Sequence, residues 1–184
     1  MKPLVYEMFR DTPKGKRYKL LWRIIKRFYY VFKSINEGVS PFPLAYYDII
    51  SSYFIYSYHL KDWLKADLNI SEKDICELFS SNPELRYCAD LCDGFKHLKR
   101  NRLHSKSQPD YERITICIVK EVKDGKRISG VFFEISTDQG KMDAFILASK
   151  CLDIWYEFIR KYDPTISKER EDEAGPKVDP AWLQ

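Results

Sequence analysis

Between Asn82 and Lys106 the chain reads NPELRYCADLCDGFKHLKRNRLHSK, and its polar residues keep a helical period. Arg86, Asp90, Asp93 and His97 follow at steps of four, three and four, so on a helix they share one stripe, with Lys96 and Arg100 beside it. An imidazole titrates near neutral pH, and a carboxylate one turn away can orient it. Two carboxylates, an imidazole and several cations on one strip therefore make an acid/base site flanked by positive charge. The same spacing also describes a solvated helix face of i,i+4 ion pairs, and periodicity alone favours that plainer reading.

A second constellation lies earlier, in Tyr58-His59-Leu60-Lys61-Asp62-Trp63. His59 and Asp62 are three residues apart and share a helix face, either as a satisfied pair or as part of a site. Further along, Lys96, Lys99, Arg100, Arg102 and Lys106 form a basic run that suits a nucleic-acid backbone. Cations in a last helical turn are equally expected from the helix dipole. The chain has no Gly-rich phosphate loop, no nucleophile elbow and no H-E-x-x-H pair. The three histidines, at 59, 97 and 104, are not spaced to require a metal, so no metal and no cofactor is expected.

The elements that must position these residues can be read from local signals. Pro13-Lys14-Gly15 precedes a basic amphipathic helix over Lys16 to Ile35, with Tyr18, Leu21, Ile24, Ile25, Phe28, Tyr29, Phe32 and Ile35 on one side. Lys19, Arg23, Lys26, Arg27 and Lys33 fall largely on the other, as on the outer wall of a bundle. A loop with two prolines and a glycine, 37–43, leads into Leu44 to Leu68, apolar nearly all round and so expected to be the central helix. Ser71 with Asp74 resembles a capping box and starts a short helix. Asn82 as cap, Pro83 in the first turn and Glu84 at the positive end of the dipole open the next, which fades near Leu103.

The period then changes. Residues 113–122, RITICIVKEV, are rich in β-branched side chains, Asp124-Gly125 marks a tight turn, and Ile128 to Ser136 alternates as the returning strand. A turn at Asp138-Gln139-Gly140-Lys141 precedes a last helix from about Met142 to Tyr162. The expected fold is mainly α, a bundle of about five helices with a β-hairpin at about 113–136 inserted before the last helix. One domain should cover residues 1–163, and the charged segment 164–184 should be a loose C-terminal tail.

Composition bounds the rest. The 184 residues are 45% hydrophobic and 15% aromatic, as in a globular protein, and the net charge of +4 permits an acidic partner without demanding one. No uncharged apolar run is long enough to cross a bilayer, and the first residues lack the order of a signal peptide. Five cysteines without a C-x-x-C pair point to free thiols. A reduced, cytoplasmic protein with no membrane association is the expectation.

Two segments together carry a resemblance: Tyr58 to Trp63 on one helix and Asp90-Leu91-Cys92-Asp93-Gly94-Phe95-Lys96-His97 on a later one, followed by a hairpin and a Trp-containing last helix. The arrangement, from roughly Leu44 to Tyr162, resembles a set of bacterial proteins whose late-helix pattern is close to Asp-Leu-Ala-Asn-Gly-x-Lys-His. These resemble HEPN domains, helical bundles of toxin–antitoxin and antiviral systems. The HEPN motif is Arg, a polar residue, a few residues, then His. Laid over this chain it puts Asp93 at the polar position, His97 at the His, and Cys92 where the Arg belongs. The segment Arg100-Asn101-Arg102-Leu103-His104 has the Arg-Asn start but closes one residue short.

The resemblance implies a metal-independent ribonuclease, often with a site shared across a dimer, in which the His helps activate the ribose hydroxyl and the Arg holds the phosphate. His97 would be the acid/base residue, aided by Asp93, His59 and Asp62, with Lys96 or Arg100 stabilising phosphate charge. Cys92 supplies neither a positive charge nor a fork of donors. The favoured expectation is therefore a degenerate, non-catalytic module that binds a partner protein, a second copy of itself, RNA or another nucleic acid.

Overall fold

The computed structural model of the chain describes residues 16–37, 46–96, 110–123, 126–137 and 140–169. Among these the elements are α1 (Arg17–Asn36), α2 (Tyr46–Leu68), α3 (Glu72–Ser81), α4 (Pro83–Lys96), β1 (Asp110–Lys123), β2 (Lys126–Thr137), β3 (Gly140–Asp143) and α5 (Ala144–Arg160). The fold is mainly helical, with an antiparallel hairpin before the last helix. One continuous cluster of buried side chains joins all five helices and the sheet.

Helix α2 packs against α1, α4 and α5. Its fully buried residues are Tyr46, Ile50, Tyr53, Phe54, Ser57, Leu60 and Leu64, a single helical stripe. It is central but not buried all round, because Tyr47 is 51% exposed and Tyr56 and Tyr58 are half-buried. A tyrosine ring lends apolar area while its hydroxyl reaches a polar partner, so a tyrosine-rich helix reads as more buried than it is. Fully buried Tyr53 donates its hydroxyl to the Ala148 carbonyl of α5 at 2.6 Å.

Asp67, near the end of α2, closes the start of α1. Its carboxylate accepts from Arg17 Nε at 3.0 Å and Nη2 at 2.8 Å and from the Tyr18 backbone N–H at 3.0 Å. A carboxylate over the free N–H groups of a first helical turn is favoured by the helix dipole. This sets α1 and α2 antiparallel. Helix α2 then stops at Asn69, which adopts the left-handed conformation (φ 54°) that Asn tolerates at a helix end.

The capping expected at Ser71 is present. Its Oγ accepts from the Asp74 N–H at 3.1 Å and donates to the Asp74 carboxylate at 2.7 Å. Asn82 acts differently from expectation: its Nδ2 donates to the Leu78 carbonyl at 2.7 Å, closing the end of α3 rather than the start of α4. Pro83 and Glu84 occupy the first turn of α4, and Glu84 pairs with Lys150 of α5 at 3.2 Å.

The sheet has the order β1-β2-β3. Strands β1 and β2 are antiparallel, with Val119 opposite Gly130 and Lys123 opposite Lys126; the Asp124-Gly125 turn lies outside the described residues. Of the expected turn over Asp138 to Lys141, Gly140 and Lys141 belong instead to a short third strand, in which Glu134 faces Asp143 and Thr137 faces Gly140, while residues 138–139 lie outside the described residues. Gly140 sits at φ 114°, where a side chain would strain the backbone. The last helix consequently begins at Ala144, where Asp143 Oδ1 accepts from the N–H groups of Phe145 (2.7 Å) and Ile146 (2.9 Å). A lone hairpin is marginal in water, and this one is anchored by buried Phe133 and Ile135 of β2. Phe133 meets Phe32 of α1 and Tyr46 of α2 edge to face, with centroids 5.7 and 5.9 Å apart.

The chain does not leave the body at Pro164. Residues 161–169 fold back along α1, where Trp22 Nε1 donates to the Ser167 carbonyl at 2.9 Å and Ile166 is buried. Lys26 was expected on the outward basic side of α1, yet it is only 2% exposed. Its Nζ donates to the carbonyls of Ser167 (3.1 Å) and Glu169 (2.8 Å), so the strap covers its stem and satisfies its charge. The remainder of the expected tail, 170–184, lies outside the described residues. No helix among the described residues is long and apolar enough to cross a membrane.

Asp163 fastens the strap. Burial alone would raise its carboxyl, but Lys19 (2.7 Å), Thr165 and the Tyr18 hydroxyl hold it well below the usual carboxylate range. A depressed carboxylate contributes stability above its unfolded pKa of about 3.9, which is lost as pH falls through the folded value. Thermal unfolding followed from pH 6 to pH 2 should therefore show a steep acid loss in the native chain. Asp163→Asn should start less stable and lose less across that window; an unchanged slope would remove Asp163 from the acid transition.

Candidate functional site

Helices α2 and α4 run side by side in the same direction, with α3 returning the chain between them. The Cys88 thiol reaches the Phe54 carbonyl at 3.5 Å, and one turn further Tyr58 lies within electrostatic reach of Cys92 and Asp93. This follows from the apolar stripe of α4, whose Leu85, Cys88, Leu91 and Cys92 are all buried at 1% exposure or less. The polar stripe beside it must emerge along the boundary with α2 and α3.

At that boundary Tyr58, Lys61, Asp62 and Asp93 act on one another. Burial first, then the carboxylates of Asp93 and Asp62, push the Tyr58 phenol up to about 12. Burial also lowers the Lys61 ammonium, against the opposing pull of Asp62 and Asp93. Lys61 Nζ lies 3.3 Å from the centroid of the Tyr58 ring and 5.7 Å from that of Phe79, a cation held over aromatic faces. The tyrosine and the lysine both fall in the Tyr58 to Trp63 segment, but its spacing gives a role only to His59 and Asp62.

The expected residues divide. His59 Nδ1 and Asp62 Oδ2 are 3.3 Å apart as anticipated, with side chains 37% and 49% exposed. Lys65 joins them, 3.5 Å from Asp62 and 2.8 Å from Glu72 of α3. This is a surface network. Asp93 is half-buried and shares Tyr58 and Lys61 with Asp62, so the two acids do reach one side of the molecule. Asp90 of the same stripe is buried completely, at 0% exposure. Cys92, aligned with the HEPN arginine, is also 0% exposed and belongs to the core. Lys96 ends the described part of α4, and its side chain, like His97, Lys99, Arg100, Arg102, His104 and Lys106, lies outside what the structure describes.

A cleft of about 330 Å³ opens next to this cluster. Tyr58 and Lys61 of α2, Glu72, Ile75, Cys76, Phe79 and Ser80 of α3, and Arg86 of α4 line it. Arg86 Nη1 donates to the Ser80 carbonyl at 2.8 Å, which holds the guanidinium against the end of α3. Its Nε is buried without a hydrogen-bond partner. Among the described residues no group of three or more His, Cys, Asp or Glu is placed to hold a metal ion. Two cations beside aromatic and aliphatic walls suit the holding of an anionic group more than the movement of a proton. No family model, no curated protein and no solved structure matches the chain.

The two acids differ in what they contribute. An exposed ion pair is worth little, because water screens it and two flexible side chains must be ordered. A buried carboxylate is matched by hydrogen bonds that its removal leaves unmade. Asp62→Ala should change the unfolding free energy by less than about 1 kcal/mol, whereas Asp90→Ala should cost about 2–4 kcal/mol. Denaturant melts of both variants decide this; equal effects would contradict the division.

Proposed function

We propose that this chain is a degenerate, non-catalytic HEPN-like module of a bacterial defence or toxin–antitoxin system that binds a nucleic acid or a partner protein. The observation that carries this reading is the burial of Cys92 at 0% exposure. The position aligned with the phosphate-holding arginine carries an uncharged thiol turned into the core, where it can donate nothing useful to a phosphate. The described acids support the same conclusion. Asp62 is engaged by His59 and Lys65, and Asp93 lies within electrostatic reach of Lys61, so the charge of Asp62 serves local pairing at the surface. Cys76, Cys88, Cys92 and Cys151 are free thiols, which fits a reducing, cytoplasmic setting.

A second reading, a metal-independent ribonuclease using His97 as acid/base, draws on one observation. Asp93, four residues before His97 in the sequence, shares Tyr58 and Lys61 with Asp62, which in turn pairs with His59. Incubating RNA with the purified chain and with His97→Ala separates the two. The binding reading expects intact RNA with both proteins, together with a shift in elution volume on adding RNA or the products of neighbouring genes. Cleavage that disappears in His97→Ala would establish the ribonuclease instead. An elution volume unmoved by every added partner would refute the binding module.

A further inference from the structure

The cleft between α2, α3 and α4 has a composition that the surface networks around it lack. We propose that it is a binding site for a nucleotide, free or within single-stranded RNA, whose phosphate is held by Lys61 and Arg86; this deepens the nucleic-acid branch of the function proposed above. Neither cation has a carboxylate partner at ion-pair distance among the described residues. The carboxylates nearby are otherwise engaged: Glu72 pairs with Lys65 at 2.8 Å, and Asp62 with Lys65 at 3.5 Å and His59 at 3.3 Å. Asp93 acts on Lys61 only through space, and among the residues that line the cleft the two cations, Lys61 and Arg86, outnumber the one carboxylate, Glu72. A second cleft, of about 270 Å³, shows the contrast, since Asp74 and Glu77 face a single cation, Lys161.

Arg86 is set for this role by its own fold position. The Ser80 carbonyl fixes Nη1, which orients a planar guanidinium whose Nη2 has no protein partner among the described residues. Fixing one arm reduces the rotamer freedom lost when the other arm meets an oxyanion. Lys61 is placed as firmly, with its ammonium 3.3 Å from the Tyr58 ring centroid. A half-desolvated ammonium gains more from an arriving anion than a fully hydrated one.

The walls specify the rest of the ligand. Half-buried Phe79, with Tyr58 beside it, presents apolar surface, which a bare phosphate would leave unused and a flat heterocycle would cover. At about 330 Å³ the cleft lies at the small end of the usual range for ligand pockets, about 300–1,000 Å³. That is room for one nucleotide rather than for a folded segment of a partner. A single-stranded chain would place one residue in the cleft and continue across the surface.

The test is calorimetric titration of the full chain with adenosine monophosphate, inorganic phosphate and a short single-stranded oligoribonucleotide. Adenosine monophosphate should bind more tightly than inorganic phosphate. Lys61→Met and Arg86→Gln should each weaken it by about tenfold or more, the loss expected for one charge-assisted contact. Lys73→Gln, on the exposed side of α3, should leave binding unchanged. Binding of the oligoribonucleotide alone, weakened by the same two substitutions, would place an RNA residue in the cleft. The unaltered chain offers a check that needs no mutant. Cys76 lines the cleft and is exposed, so nucleotide should slow its alkylation, read by peptide mass spectrometry. Absence of nucleotide and RNA binding, or binding that survives both substitutions, would overturn the proposal. RNA binding that survives both would overturn the cleft alone and leave the binding function standing.

Discussion

The carboxylate of Asp67 is the point from which the rest of the arrangement takes its register. Its side chain is 0% exposed, and it is matched by the Arg17 guanidinium and by the Tyr18 N–H in the first turn of α1. A buried charge with fewer partners would be costly, so this geometry is nearly obligatory once Asp67 goes inside. It fixes where α2 ends relative to where α1 begins. Arg17 also lies 5.7 Å from the Trp63 ring centroid, one turn before the carboxylate, which ties the same corner from a second side. With α2 held there, α4 and α5 pack on its remaining faces.

The site inherits its character from that packing. Helix α2 places Leu60 and Leu64 inward, so Tyr58, Lys61, Asp62 and Lys65 fall at the seam with α3 and α4. A seam is half-dry. There a lysine is stripped of part of its hydration and a phenol is harder to ionise, while the carboxylates around them find partners. Groups in such a place are positioned before any ligand arrives, which suits recognition. The strap formed by residues 161–169 works on α1 by the same physics. Tyr18, Trp22 and Lys26 present donors on the buried face of α1, and the returning chain supplies Ser167 and Glu169 carbonyls and the Asp163 carboxylate.

Much of the fold was legible because its signals are local. Ser71 with Asp74, Pro83, and the change from a helical to an alternating period at residue 113 each act within a few residues of themselves. The differences arise where a residue had more than one partner available. Asn82 could serve the end of α3 or the start of α4, and the Leu78 carbonyl took it. Gly140 to Asp143 could be a turn or a strand, and the free edge of β2 decided for a strand. Lys26 reads as surface in any periodicity, since nothing near it in the chain tells of carbonyls more than a hundred residues away.

The candidate site was legible in the same uneven way. The His59–Asp62 pair and the approach of Asp93 follow from spacing on two helices, whereas the pairing of Lys61 with Arg86 across a cleft does not. What the amino-acid sequence determined by itself is the set of helices and strands and which face of each is apolar, because periodicity and capping are properties of neighbours along the chain. What only the tertiary structure decided is which polar residues of those faces end buried, shared or open. Asp90 and Cys92 went into the core, Asp62 stayed at the surface, and Lys61 and Arg86 stopped between the two. The physical reason is that burial is set by the helix packed opposite, and that partner lies far away in sequence.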